Sequence, residues 1–312
     1  MNRASYTAAR LLQIVPTFIL IGIVVFVLVR ILPGGPVAAL LGDKASDEAI
    51  ERITRQLGLD APIPVQFWRF LETIARGDLG DSIAYHVAVV RLIAERLPVT
   101  LLLTGMATIF AIALAVPLAF MAAVTQNRWP DLAIRGAFQV GLSSPIFYVG
   151  LILLTVFAGA MHIFPVGGYG ETPGEHLYHL FLPALALALS FSAVIMRSLR
   201  ASVIEVLSAE FVDFARAKGL RRRIVLGRHV LRNALISTLA LIGLQIGDLL
   251  GGAVITESVF AVPGVGRLMV DSIFARDYPV IQGLTLALAV LVSLVFLATD
   301  LVQMALDPRV AK

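Results

Sequence analysis

The chain has 312 residues, 58% of them hydrophobic and 15% charged, with 25 Lys and Arg against 21 Asp and Glu. This balance excludes an ordinary soluble domain, in which about half of the residues are apolar and about a quarter charged, and it makes lipid the expected solvent. The absence of cysteine excludes disulfides, thiolate metal sites and cysteine nucleophiles, and it leaves the redox compartment undetermined.

In chain order, the first expected element is a spanning helix over 11–29, bounded by Arg10 and Arg30. A hydrocarbon core of about 30 Å needs about 20 apolar residues in a helix. A cleavable signal peptide is the competing reading, but its apolar core is usually about 7 to 15 residues long, and no small-residue cleavage site stands near Leu32. A polar stretch over 33–97 follows, with seven basic and nine acidic residues. Its segments 47–57 and 65–76 have helical apolar spacing, so it reads as a folded extramembrane insert. Five further apolar segments, 99–124, 134–160, 177–196, 235–256 and 280–305, bring the expected total to six spans in an all-α integral membrane protein.

Lys and Arg in short connections stay on the cytoplasmic side. Arg3 and Arg10 precede the first segment, Arg128 and Arg135 flank the second connection, and nine of the 25 basic residues fall between Arg197 and Arg232. The connection 161–177 has none. Both termini are therefore expected in the cytoplasm and the insert on the outer face. The same topology accounts for the basic charge without nucleic acid. Pro16, Pro117, Pro145 and Pro183 sit in or beside apolar runs, where each removes a backbone hydrogen bond and can bend a helix. Gating and ordinary tolerance in membrane helices are both open readings. Gly243-x-x-x-Gly247 and Leu250-Gly-Gly-Ala253 permit close helix approach, either within the chain or to a second subunit.

No phosphate-binding loop exists, because the only lysines are Lys44, Lys218 and Lys312 and none has the Gly-x-x-x-x-Gly-Lys context. The His-Glu-x-x-His and Gly-x-Ser-x-Gly signatures are also missing, so no catalytic residue is assigned. Glu175-His176-x-x-His179 places two histidines on one helix face. The preferred reading is the interfacial start of the fourth span, with no metal bound. Ionisable residues inside spans are costly and face water or protein. Asp248 is accordingly the candidate for a translocation path, with Gln245 one turn away and Ser143, Ser144, Ser190 and Ser192 as further polar lining. A buried or subunit-contacting aspartate is the alternative for Asp248.

Between the fourth and fifth apolar segments, 205–233 reads as helix, turn, helix. Glu210–Lys218 is good helix-forming sequence, and Gly219 suits a left-handed helix cap. This segment resembles the loop shared by permease subunits of binding-protein-dependent ABC importers, whose pattern is Glu-Ala-Ala, three residues, then Gly. Asp213, Phe214, Ala215 and Gly219 stand at those positions, with Asp for Glu and Phe for the first Ala. Both departures fit the dipeptide, oligopeptide and nickel branch. Ala215-Arg-Ala-Lys-Gly219, Arg228-His-Val-Leu-Arg-Asn-Ala234, Pro263-Gly-Val-Gly-Arg267, Arg276-Asp-Tyr-Pro279 and Asp307-Pro-Arg309 resemble that branch too. So do Leu57-Gly-Leu-Asp60, Gly77-Asp-Leu-Gly80 and Pro33-Gly-Gly-Pro36, the last departing from its usual Pro-Gly-Asp-Pro.

The resemblance implies an ABC importer type I transmembrane domain in the bacterial inner membrane. It implies a first helix and outer insert over 1–97, a core over 98–306 with the coupling hairpin at 205–233, and a tail at 307–312. The implied partners are a second homologous permease, cytoplasmic ATP-binding subunits that hold ATP and Mg, and an extracytoplasmic substrate-binding protein, with lipid around the chain. The chain itself would bind no cofactor. Asp213, Ala215, Arg216 and Gly219 would meet the ATP-binding subunit, and the cargo would be a di- or oligopeptide or a related small solute. An ion-gradient-driven secondary transporter is the alternative, since six spans and a midplane aspartate suit it also.

Overall fold

The computed structural model describes residues 3–31, 47–56 and 60–306. The motifs at 33–36 and 307–309, residues 57–59 of another, and the tail expected at 307–312 lie outside the described residues. The described chain is helical, apart from one isolated antiparallel bridge between Asp81 and Ala88. Helix α1 spans Arg3–Ile31, α2 Asp47–Gln56, α3 Ile63–Ala75, α4 Val89–Val124 and α5 Trp129–Ser143. Helix α6 spans Ile146–Ala160, with a π-helical last part, α7 Pro173–Leu207 and α8 Glu210–Ala217. Helix α9 spans Arg222–Val259, with a π-helical segment over Val225–Leu231. Helices α10 and α11 span Val265–Phe274 and Tyr278–Leu306.

Four of these, α4, α7, α9 and α11, are long and apolar enough to cross a membrane. Helix α1 has 29 residues, with a shorter apolar run over Val15–Val27. The expected single segment 134–160 is instead two helices, α5 and α6, bent by 104°. Ser144 is extended (φ −89°, ψ 129°) before Pro145. The proline ring crowds the residue before it out of the helical region, and its missing N–H cannot continue the α5 ladder. By contrast, Pro16 and Pro183 are accommodated inside α1 and α7.

Two compact units result. Of the described residues, one comprises Arg3, 99–263 and 295–306, and the other 4–31, 47–56, 60–98 and 264–294. In the first, a line of fully buried alanines at every fourth position of α4, Ala107, Ala111, Ala115 and Ala119, shares a core with Leu180, Ala184, Leu187 and Phe191 of α7. Residues four apart occupy one helix face, and their small side chains let neighbouring helices approach closely. Gly243 serves the same end. A Cβ there would lie 2.1 Å from the Thr299 side chain, so the small-residue motif at 243 packs within the chain.

In the second unit, Asp277 is fully buried. It accepts hydrogen bonds from the Ser82 hydroxyl at 2.5 Å and from the backbone N–H of Ile83 at 3.2 Å and Ala84 at 3.0 Å. The Arg276-Asp-Tyr-Pro279 motif thus ties the turn before α11 to the segment before α4. Gly77 and Gly80 take φ of +76°, and the Asp78 side chain accepts from the Gly80 N–H at 2.9 Å. Nearer the N-terminus, the Arg30 guanidinium donates to the Gln66 side chain at 2.6 Å, and Phe26 packs edge-on against Phe67 at 5.1 Å.

Candidate functional site

The hairpin expected at 205–233 exists, with one difference in its second arm. That arm is not a separate amphipathic helix. It is the first part of α9, which runs without a break through the apolar segment to Val259. Its first arm, α8, carries Glu210 and Asp213 in the first turn and Arg216 in the last, an order that complements the helix dipole. Asp213 and Arg216 form an exposed ion pair at 3.0 Å.

Helix α8 ends in a Schellman cap. The Gly219 N–H donates to the Arg216 carbonyl at 2.9 Å, and the Leu220 N–H donates to the Ala215 carbonyl at 3.3 Å. Gly219 has φ +74°, the left-handed conformation that glycine adopts without a Cβ penalty. Val212 and Ala215 are buried with Val203, Val225 and Val230 in the first unit's core. Ala215 therefore fastens the hairpin to its own chain, while Asp213, Arg216 and Gly219 remain exposed.

Phe211 and Phe214, 47% and 66% exposed, turn outward beside them, with the Lys218 ammonium 5.1 Å from the Phe214 ring centroid. The knob thus offers apolar rings, an ion pair and a rigid turn to a partner. Sequence reasoning placed Phe214 in the pattern but missed this outward pair, although two aromatics three residues apart in a polar segment are a legible signal.

Asp248 and Gln245 share a face of α9, and Asp248 is exposed. Ser143 and Ser144 lie at the α5–α6 bend, where the Ser144 hydroxyl donates to the Val140 carbonyl at 2.9 Å. No hydrogen bond among the described residues joins these serines to Asp248. The Ser192 hydroxyl donates to the Leu189 carbonyl at 2.9 Å, whereas the Ser190 hydroxyl is buried with no hydrogen-bond partner among the described residues.

The histidines are engaged with backbone. One ring nitrogen of His176 lies 2.9 Å from the Tyr169 carbonyl, and one of His179 lies 2.9 Å from the Gly167 carbonyl. Among the described residues no cluster of His, Asp or Glu is arranged to hold a metal.

Two buried polar links were not visible in the sequence. Arg200 donates to both oxygens of fully buried Asp131 at 2.7 Å each, and Thr100 donates to fully buried Glu257 at 2.6 Å. Removing one member of a buried charged pair typically costs about 3–5 kcal/mol, so Arg200 is more than a topology signal.

The chain matches two family descriptions. Residues 115–312 match the binding-protein-dependent transport system inner membrane component, and residues 4–104 match the N-terminal part of a binding-protein-dependent transport system membrane component. It is 37% identical over 306 residues to the glutathione transport system permease protein GsiC of Salmonella paratyphi A, covering 98% of each chain. It is 38% identical to the protein of the same description in Escherichia coli K12, with the same coverage. Inward-facing structures of the MetNI methionine ABC transporter share its fold, with a TM-score of 0.58 at 17% identity over 69% of this chain and 96% of that one. A second crystal form gives 0.55.

Proposed function

Given that this chain belongs to the binding-protein-dependent transport system inner membrane component family, we propose that it forms half of a translocation path for a small peptide-type solute, driven through its hairpin by ATP-binding subunits. It is a multi-pass permease of the bacterial inner membrane and not an enzyme; ATP hydrolysis belongs to separate subunits. The observation that carries the driving role is the hairpin itself. It is a capped, exposed knob whose second arm continues directly into a membrane-length helix. An ion-gradient carrier has no use for such a knob.

Glutathione is the solute named for the relatives, and a γ-linked tripeptide lies within the peptide-type class proposed here. The path would be lined by Asp248, Gln245, Ser143 and Ser144, since polar residues on membrane helices turn to water or protein. A second homologous permease would complete the pore, and an extracytoplasmic binding protein would deliver the solute.

The test is purification of the tagged chain from native membranes in mild detergent, with mass spectrometry of its partners and an ATPase assay. We expect a second permease and ATP-binding subunits, with ATP hydrolysis by the complex. Recovery of the chain alone, without ATPase activity, would transfer the reading to a gradient-driven carrier.

A further inference from the structure

Between α5 and α7 lies a cavity of about 680 Å³ whose lining includes Arg135, Gly136, Gln139, Met196, Arg197 and Arg200. Its charges are unbalanced. Arg200 is committed to Asp131 at 2.7 Å through both carboxylate oxygens, and Arg135 lies 3.3 Å from the same carboxylate. Arg197 is exposed and, among the described residues, its side chain donates to a neutral group, the Gln139 side-chain carbonyl, at 3.1 Å. Two guanidiniums therefore share one carboxylate, and Arg197 stands beside them on the same lining. Gln139 continues the chain of contacts, donating to Ser143 at 3.4 Å.

Arg135, Gln139 and Ser143 recur every fourth residue and are all exposed. They make a polar stripe about 12 Å long at 1.5 Å per residue, ending at the α5–α6 bend. In a lipid setting such a stripe faces water or protein.

We propose that this cavity is an anion-selective vestibule at the cytoplasmic end of the path, where Arg197 and Arg135 take the carboxylate of a passing solute. The proposal rests on the transport reading above and on its orientation. Asp131 withdraws Arg200 into a structural role, holds the half-exposed Arg135 less closely at 3.3 Å, and leaves Arg197 on a neutral amide. A guanidinium offers a carboxylate two parallel N–H donors, and a low-dielectric wall focuses its field. An anionic lipid headgroup has similar oxyanion chemistry but would occupy one level at the membrane surface. The stripe instead continues to Ser143, which favours a solute that moves along it.

The chain has no cysteine, and a Cβ at Gly136 meets no atom within 4 Å. Gly136→Cys therefore places a single reporter thiol in the cavity; Leu132→Cys, on the same lining, is the second reporter. In the purified complex, reconstituted in phosphatidylcholine vesicles, labelling rates are compared for 2-sulfonatoethyl and 2-trimethylammonioethyl methanethiosulfonate, each normalised to free cysteine. We expect the anionic reagent to be favoured about tenfold, the lower end of electrostatic focusing. Arg197→Gln or Arg135→Gln should lower that preference several-fold. Sodium acetate should slow the anionic reagent more than sodium chloride at equal ionic strength.

A ratio at or below that of free cysteine, or one unchanged by both arginine variants, would overturn the proposal. So would a preference abolished when phosphatidylglycerol replaces phosphatidylcholine at equal ionic strength, which would assign the cavity to a lipid headgroup. Partner recovery is scored on the same preparation. Loss of the ATP-binding subunits would defeat the transport reading, while the labelling ratio still judges the cavity.

Discussion

At Gly219 one backbone dihedral shapes the knob to which the proposed function assigns the coupling role. Its φ of +74° closes the Schellman cap, yet a Cβ there would meet nothing within 4 Å. The penalty for a side chain is therefore conformational and not steric, about 1 kcal/mol for alanine and more for a β-branched residue. Gly219→Ala should lower solute uptake per ATP modestly. Gly219→Val should lower it severely, with the subunit still in the membrane at the normal level. Parallel ATPase and uptake assays on vesicles check this, and unchanged coupling in the valine variant would refute a positioning role for the turn. Ala215 differs in kind, because its side chain is buried against the hairpin's own second arm.

At the scale of the element, the useful property of α9 is continuity. From Arg222 to Val259 it runs 38 residues, about 57 Å at 1.5 Å per residue, so in the proposed function a push at the hairpin would reach the span along one continuous helix. The π-helical segment at 225–231 is a widened turn within that rod and does not interrupt it. Inserting Gly-Gly after Leu231 should leave the ATP-binding subunits bound but abolish ATP-dependent uptake, because glycine weakens a helix interior at the point of transmission. Co-purification followed by a transport assay separates the two effects, and full uptake would show that force does not travel through this junction.

The long apolar runs at 99–124 and 280–305 were legible because length and composition alone specify a membrane helix. Pro145 marked a break, but its 104° angle depends on what α5 and α6 each pack against. The partner of Glu257 is 157 residues away at Thr100, and that of Asp277 is 195 residues away at Ser82. No local pattern encodes such pairings. The burial of Asp131 was hidden for the same reason, since Arg200, which meets both of its oxygens, lies on another helix, whereas the cap at Gly219 was readable because all its hydrogen bonds are local.

As a whole molecule, the chain acts in the proposed function as a transducer: its hairpin would receive motion, its membrane helices deliver it, and its polar faces conduct. Whether the exposed knob sits in an ATP-binding subunit is the claim on which the rest depends. The measurement that reaches it most directly is site-specific cross-linking from a single cysteine, Phe214→Cys, in membranes carrying the intact importer. Val166→Cys, at an exposed position in the connection that the charge pattern predicts on the outer face, is the control. The account predicts a covalent adduct between position 214 and an ATP-binding subunit, with none from position 166. Absence of that adduct from an intact complex that still hydrolyses ATP, or equal adducts from both positions, would contradict it.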